Sequence, residues 1–228
     1  MAQQNQLGVL VMCYILLFLL CLWAWKMKSE NLVSEKVLNG NWNLLHIRHI
    51  GGILIMTAIP AVFLPVIPEN LFQWPGSAGL IQTLTLTVAA LILLLLVKNN
   101  RHGLVVDESI NDKDASFHAF HAILYIVVRS TFLICYEFFF RGCILFSCIV
   151  QFGTLAAIII NLVLYALIHS FNGKKEMYGA VPFGLMLCLF TIWYQSVWPA
   201  ILLHLLLSSS HESILLFPFL RKKSTSVI

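Results

Sequence analysis

The sequence predicts an all-α fold, a polytopic transmembrane helix bundle of about seven spans, and three observations predict it. Hydrophobic residues make up 60% of the 228 residues and charged ones only 11%, with a mean hydropathy of +0.88. A soluble domain carries roughly 25% charged residues. The apolar residues collect in runs close to the ~20 residues that cross a bilayer as a helix. Lys and Arg fall in alternate loops, the asymmetry that fixes membrane orientation. This composition excludes a water-soluble globular enzyme. Nucleic-acid binding is not expected either, because no Lys/Arg cluster is interleaved with aromatics. With no repeat and no linker, residues 1–228 read as a single integral membrane domain.

Taken in order, the spans are Leu7–Trp25, Ile50–Ile67, Leu80–Val97, Ala119–Val150, Phe152–Ser170, Tyr178–Tyr194 and Val197–Leu216. The first run lacks the basic leader and small-residue cleavage site of a signal peptide, so it reads as a retained anchor. The fourth is too long for one perpendicular crossing at about 1.5 Å per residue. It is expected to be tilted, broken or preceded by an interfacial helix. Trp23, Trp25, Trp74 and Trp198 lie near span ends, as interfacial belts do. The six cysteines all lie in apolar runs without metal-type spacing, and read as small hydrophobes.

Charge placement supports this count. Lys26, Lys28, Lys36 and Arg48 follow span one; Lys98, Arg101 and Lys113 follow span three; Lys174 and Lys175 follow span five. Arg221, Lys222 and Lys223 form the tail, which is expected to touch anionic lipid. The intervening segments, including Pro68–Gly79 and the turn near Gln151, hold none. The expected topology is therefore N-terminus out and C-terminus cytoplasmic. Asp107–Asp114 reads as a solvated acidic loop. A bacterial plasma membrane fits the small size, and an endoplasmic-reticulum location stays open.

Two cations remain, Arg129 and Arg141, both inside the fourth segment. Ionisable groups in a bilayer are costly and mark functional sites by default. Glu137 is the one acidic residue well inside a span, and Arg141 four positions later shares its helix face. A structural ion pair is the plainer account of that spacing. A lone histidine in a span is likewise more often a packing residue than a catalyst. Here, however, three spans donate Glu137, His169 and His204. Such a set could hold a water between a carboxylate and an imidazole. It could also hold zinc, since two His and one Glu are a known ligand set. Without an H-E-x-x-H pattern zinc is not favoured, and no cofactor is expected. His211 and Glu212, near the exit of span seven, read as solvated.

Three stretches carry a resemblance. Tyr136-Glu137-Phe138-Phe139-Phe140-Arg141-Gly142 resembles the E-E-x-x-x-R-G motif of the CAAX-protease and bacteriocin-processing (CPBP, Abi) membrane family. Tyr165-Ala166-Leu167-Ile168-His169 resembles that family's F-x-x-x-H, and His204-Leu205-Leu206-Leu207-Ser208 its H-x-x-x-N. The resemblance covers residues 120–210, a protease-family-like core. It implies an all-helical intramembrane endopeptidase whose cavity opens to the cytoplasm, acting on a membrane-associated peptide or lipidated protein in the bilayer. It further implies that a glutamate and the F-x-x-x-H histidine activate water. The later His and Asn then stabilise the oxyanion, as preorganised donors do.

Carried over, the catalytic set is Glu137, His169, His204 and Ser208, with Tyr136 and Arg141 in support. Tyr136 stands where the family has its first glutamate, and Ser208 where it has Asn. A phenol, with an unperturbed pKa near 10, is no substitute for a carboxylate base. Three readings stay open. Glu137 takes over as base with His169, which requires the helix to rotate or bulge, because adjacent helical residues point about 100° apart. Alternatively, the protein is a pseudoprotease that binds peptide or confers bacteriocin immunity. In the third reading the pocket serves transport or ion binding.

Overall fold

A computed structural model describes residues 2–27, 42–58, 60, 71, 73–74, 79–99 and 119–225. The second half of the expected second span, the Asp107–Asp114 loop, and Lys28, Lys36, Arg101 and Lys113 lie outside them, as do the side chains of Arg221, Lys222 and Lys223. Within the described residues the chain forms helices throughout. We number them α1 (Ala2–Lys26), α2 (Trp42–Ile53, extended by a π-helical turn Leu54–Ala58), α3 (Leu80–Asn99), α4, α5 (Thr154–His169), α6 (Lys174–Tyr194) and α7 (Trp198–Thr225). The element α4 is composite: α-helix over Ala119–Glu137, π-helix over Phe138–Leu145, then α-helix over Phe146–Phe152.

Among the described residues, five helical segments are long and apolar enough to cross a membrane: Leu7–Lys26, Leu80–Asn99, Leu124–Phe152, Thr154–Asn172 and Lys174–Tyr194. The expected bundle is therefore present, and the protein is an integral membrane protein. Three boundaries shift. Helix α2 starts at Trp42, before Ile50, because Trp42–Ile53 is apolar enough to join the bundle despite Arg48 and its two histidines. The turn expected near Gln151 falls at Gly153, whose φ of 80° ends α4 without the Cβ clash another residue would suffer. Lys174 and Lys175 form the first turn of α6 rather than a loop.

The helices sort by what they bury. On α1, Leu10, Cys13, Leu17, Cys21 and Ala24 form a buried stripe at helical spacing, while Val11, Met12, Ile15 and Leu19 face outward. Leu10, Cys13, Leu17 and Cys21 pack into one core with Phe139, Phe140, Cys143 and Tyr165. At the periphery, α3 buries only Leu93 and Val97. Leu80, Ile81, Leu84, Leu91 and Leu95 are exposed there, a face that only a bilayer makes reasonable. All six cysteines are buried and free, as small hydrophobes should be.

The composite helix α4 is central, packing against α2, α5 and α7. Every residue of its π-segment, Phe138–Leu145, is buried. Wider turns of this kind gather at functional sites. Widening leaves backbone carbonyls out of the regular ladder, and one of them has a dedicated partner. Asn161, fully buried on α5, donates its Nδ2 to the Phe140 carbonyl at 2.6 Å, and its Oδ1 lies 3.3 Å from Cys188 Sγ. Gly142 allows close packing there, since a Cβ would lie 3.2 Å from the Phe138 ring and 3.6 Å from Val197. The α6–α7 turn is tied down in turn. Ser196 Oγ donates to the Gln73 carbonyl at 3.0 Å, and the Val197 amide to the Leu71 carbonyl at 3.1 Å.

Candidate active site

Glu137 closes the α-helical part of α4 and carries no solvent exposure. Its Oε1 lies 2.5 Å from His204 Nδ1 on α7, and its Oε2 lies 3.2 Å from Arg141 Nη1. The expected i, i+4 pair of Glu137 and Arg141 thus exists, and His204 joins it. A buried carboxylate is held by an opposite charge and hydrogen bonds or not at all. Arg141 is fully buried too, with its guanidinium carbon 4.1 Å above the Tyr165 ring, a cation–π stack. Space for this stack comes from Gly184 on α6. A Cβ at that position would meet the Tyr165 ring at 3.0 Å, Leu162 at 3.1 Å and Arg141 Nη2 at 3.4 Å.

His169 ends α5. Its Nδ1 lies 2.9 Å from the Tyr165 carbonyl, and its ring stacks on Tyr165 with centroids 4.3 Å apart. A carbonyl only accepts, so Nδ1 carries the proton. In the neutral ring the lone pair is then on Nε2. On His204, Glu137 occupies Nδ1, which again leaves Nε2 for chemistry.

Tyr136 stands between the two imidazoles. Its ring lies edge-on to both, with centroids 6.1 Å from His169 and 6.0 Å from His204. It also packs on Phe132, Phe140 and Tyr165. Its hydroxyl is buried and has no hydrogen-bond partner among the described residues. Tyr136 and Glu137 therefore divide the work of facing the histidines. The phenol faces both, whereas the carboxylate is taken up by His204 and Arg141. The π-helix begins one residue later, so the bulge that the motif offset requires is present but lies downstream of Glu137.

Ser208, expected beside His204 as an oxyanion donor, is placed elsewhere. Its Oγ donates to Glu212 Oε1 at 3.1 Å. Glu212 in turn pairs with Arg129 Nε at 3.1 Å, and Arg129 Nη1 lies 3.1 Å from His49 Nε2. Glu212, expected to be solvated, is buried together with His49. Sequence reasoning missed this second polar cluster. Its one signal was Arg129, a cation left inside the fourth span. Among the described residues, no three His, Cys, Asp or Glu side chains group as metal ligands would.

An apolar groove of about 980 Å³ lies between α3, α6 and α7, lined by Leu84, Val88, Ile92, Phe183, Met186 and Leu207 among others. Phe183 connects it to the polar centre, its ring edge-on to His204 with centroids 5.5 Å apart. Lys175, Glu176 and His211 lie at one end.

The comparisons with known proteins agree with the motifs. Residues 117–210 match the family model described as Type II CAAX prenyl endopeptidase Rce1-like, and this is the family that the three motifs resemble. The match spans Glu137, His169 and His204 and less than half of the chain. It supports a membrane protease. No curated protein and no solved structure matches the chain.

Proposed function

From a segment 117–210 of this membrane-protease family, we propose that the protein hydrolyses a peptide bond of a lipidated, membrane-associated substrate, next to the lipid-bearing residue. One observation carries the proposal: two histidines from different helices flank Tyr136, one of them fixed at Nδ1 by the buried Glu137 carboxylate that Arg141 balances. A packing role would not need two imidazoles and an unpartnered phenol in one apolar bundle, where each polar group has a desolvation cost.

In this mechanism His169 Nε2 accepts a proton from water, because Nδ1–H is committed to the Tyr165 carbonyl. The resulting hydroxide attacks the carbonyl carbon. The oxyanion receives hydrogen bonds from the Tyr136 hydroxyl and from Nε2–H of His204, which acts as an imidazolium with its Nδ1–H held by the Glu137 carboxylate. As the intermediate collapses, His169 returns the proton to the amide nitrogen and the C–N bond breaks. Glu137 acts through His204, fixing its ring by Nδ1, and is a positioning residue. Arg141 balances the Glu137 charge. Tyr136 takes over the donor role that the motif comparison gives to Ser208, which is spent on Glu212. The groove beside Phe183 takes the substrate's lipid. The proposed topology remains N-out and C-in, with Lys175 and His211 toward the cytoplasm. No metal takes part, so a chelator should leave the rate unchanged.

The test is direct. Purified protein in liposomes is given a farnesylated peptide ending in a CAAX sequence, and products are read by mass. The parent should release the residues after the lipidated cysteine, and His204→Ala, folded to the same degree, should not. A parent that releases nothing supports the reading of a peptide-binding pseudoprotease instead.

A further inference from the structure

The cluster around Arg129 has an antiparallel relation to the proposed centre. Helix α4 brings Glu137 to His204 and, eight residues earlier, Arg129 to Glu212; on α7, His204 and Glu212 are also eight residues apart. Eight residues at 1.5 Å make the two rungs about 12 Å apart. Between them lie Tyr136, Phe132 and Ser208, with Phe132 packed on Tyr136 and under the Arg129 guanidinium at 5.9 Å.

The lower rung is a carboxylate site with a carboxylate already in it. Glu212 Oε1 receives Arg129 Nε and Ser208 Oγ, each at 3.1 Å. Arg129 also contacts His49, which anchors the guanidinium from the α2 side. Exposure separates the two rungs. The Glu137 and Arg141 side chains are 0% exposed, whereas Arg129 keeps 26% and Glu212 12%. The first pair is sealed; the second keeps part of its surface open, most of it on Arg129.

A CAAX sequence is C-terminal by definition, with the lipid on its cysteine. A cut after that cysteine leaves three residues between the scissile bond and a free carboxylate. Three extended residues at about 3.3 Å each span about 10 Å, close to the rung separation. We propose that Arg129 binds the C-terminal carboxylate of the substrate in the place Glu212 holds, with His49 and Ser208 as its supports, so that Arg129 determines specificity for free C-termini. An arginine fork suits this task, because it gives charge-assisted hydrogen bonds to a carboxylate from a fixed plane. Glu212 holds the fork in place until substrate arrives. This inference rests on the proteolytic reading above.

The experiment compares one farnesylated peptide as free acid and as C-terminal amide, in liposomes, with the parent, R129Q and E212Q. The parent should cleave the acid with a kcat/KM about tenfold or more above the amide, as expected for a charge-assisted contact, with the difference in KM. R129Q should lose that preference, the acid-to-amide ratio of kcat/KM falling toward one through a rise in KM for the acid. E212Q, freed of its competing carboxylate, should show a lower KM for the acid. If the parent cleaves acid and amide equally, the inference is overturned and the protease reading survives. If E212Q and R129Q instead lose both peptides in step with their melting temperatures, the cluster is a structural ion pair only. A parent that cleaves neither peptide overturns the proteolytic reading itself, and this inference with it.

Discussion

Tyr136→Phe separates chemistry from packing more cleanly than any other change in the site. The Tyr136 ring touches Phe132, Phe140, Tyr165, His169 and His204, with centroids between 4.5 and 6.1 Å. Phe keeps all five contacts and removes one oxygen. That oxygen is buried without a partner among the described residues, a state that costs about 1–3 kcal/mol. The variant should therefore be as stable as the parent or more stable, by up to that amount. If the hydroxyl donates to the oxyanion, its loss should lower kcat by about 10²–10³, or about 2.7–4 kcal/mol at the barrier. Initial rates on the farnesylated peptide and thermal unfolding in the same lipid give both numbers. Full kcat in Tyr136→Phe would refute the assignment. So would a loss of activity that follows a loss of stability, because the phenol would then be a packing group.

Further expectations follow from the same contacts. Glu137→Gln leaves Arg141 buried without its counter-charge and should destabilise the protein by about 3–5 kcal/mol. The double replacement Glu137→Leu with Arg141→Met should regain most of that stability in a melting experiment but no activity. Asn161→Leu orphans the Phe140 carbonyl in the π-segment and should cost about 1–3 kcal/mol, read as a lowered melting temperature. Gly184→Ala drives a methyl against Tyr165 at 3.0 Å. It should cost about 1–3 kcal/mol as overpacking, and it should depress activity through the Arg141–Tyr165–His169 stack.

The bundle was legible because a bilayer leaves few choices. Runs near 20 apolar residues become helices, so five of the expected spans appear among the described residues as long apolar helical segments. The Glu137–Arg141 pair was legible from its i, i+4 spacing. The contact between Glu137 and His204 was not, because it joins residues 67 positions apart. Spacing within one helix says nothing of which neighbouring helix lies opposite. The same limit hid Glu212. Near the end of a span it reads as solvated, and only its partner Arg129, 83 positions away, explains its burial. The partner of Ser208 was hidden for a related reason. This serine sits four residues after His204, yet the carboxylate four residues further on claims its hydroxyl. The π-segment could be required by the motif offset but not located, since its start at Phe138 depends on how Phe140 and Asn161 meet across two helices.

The most direct test of the account compares the membrane peptidomes of cells expressing the parent, His169→Ala and His204→Ala at matched protein levels. The account predicts peptides that end at one cleavage position, present with the parent and absent with both variants. Identical peptidomes from all three would contradict it, leaving the two histidines without a catalytic role.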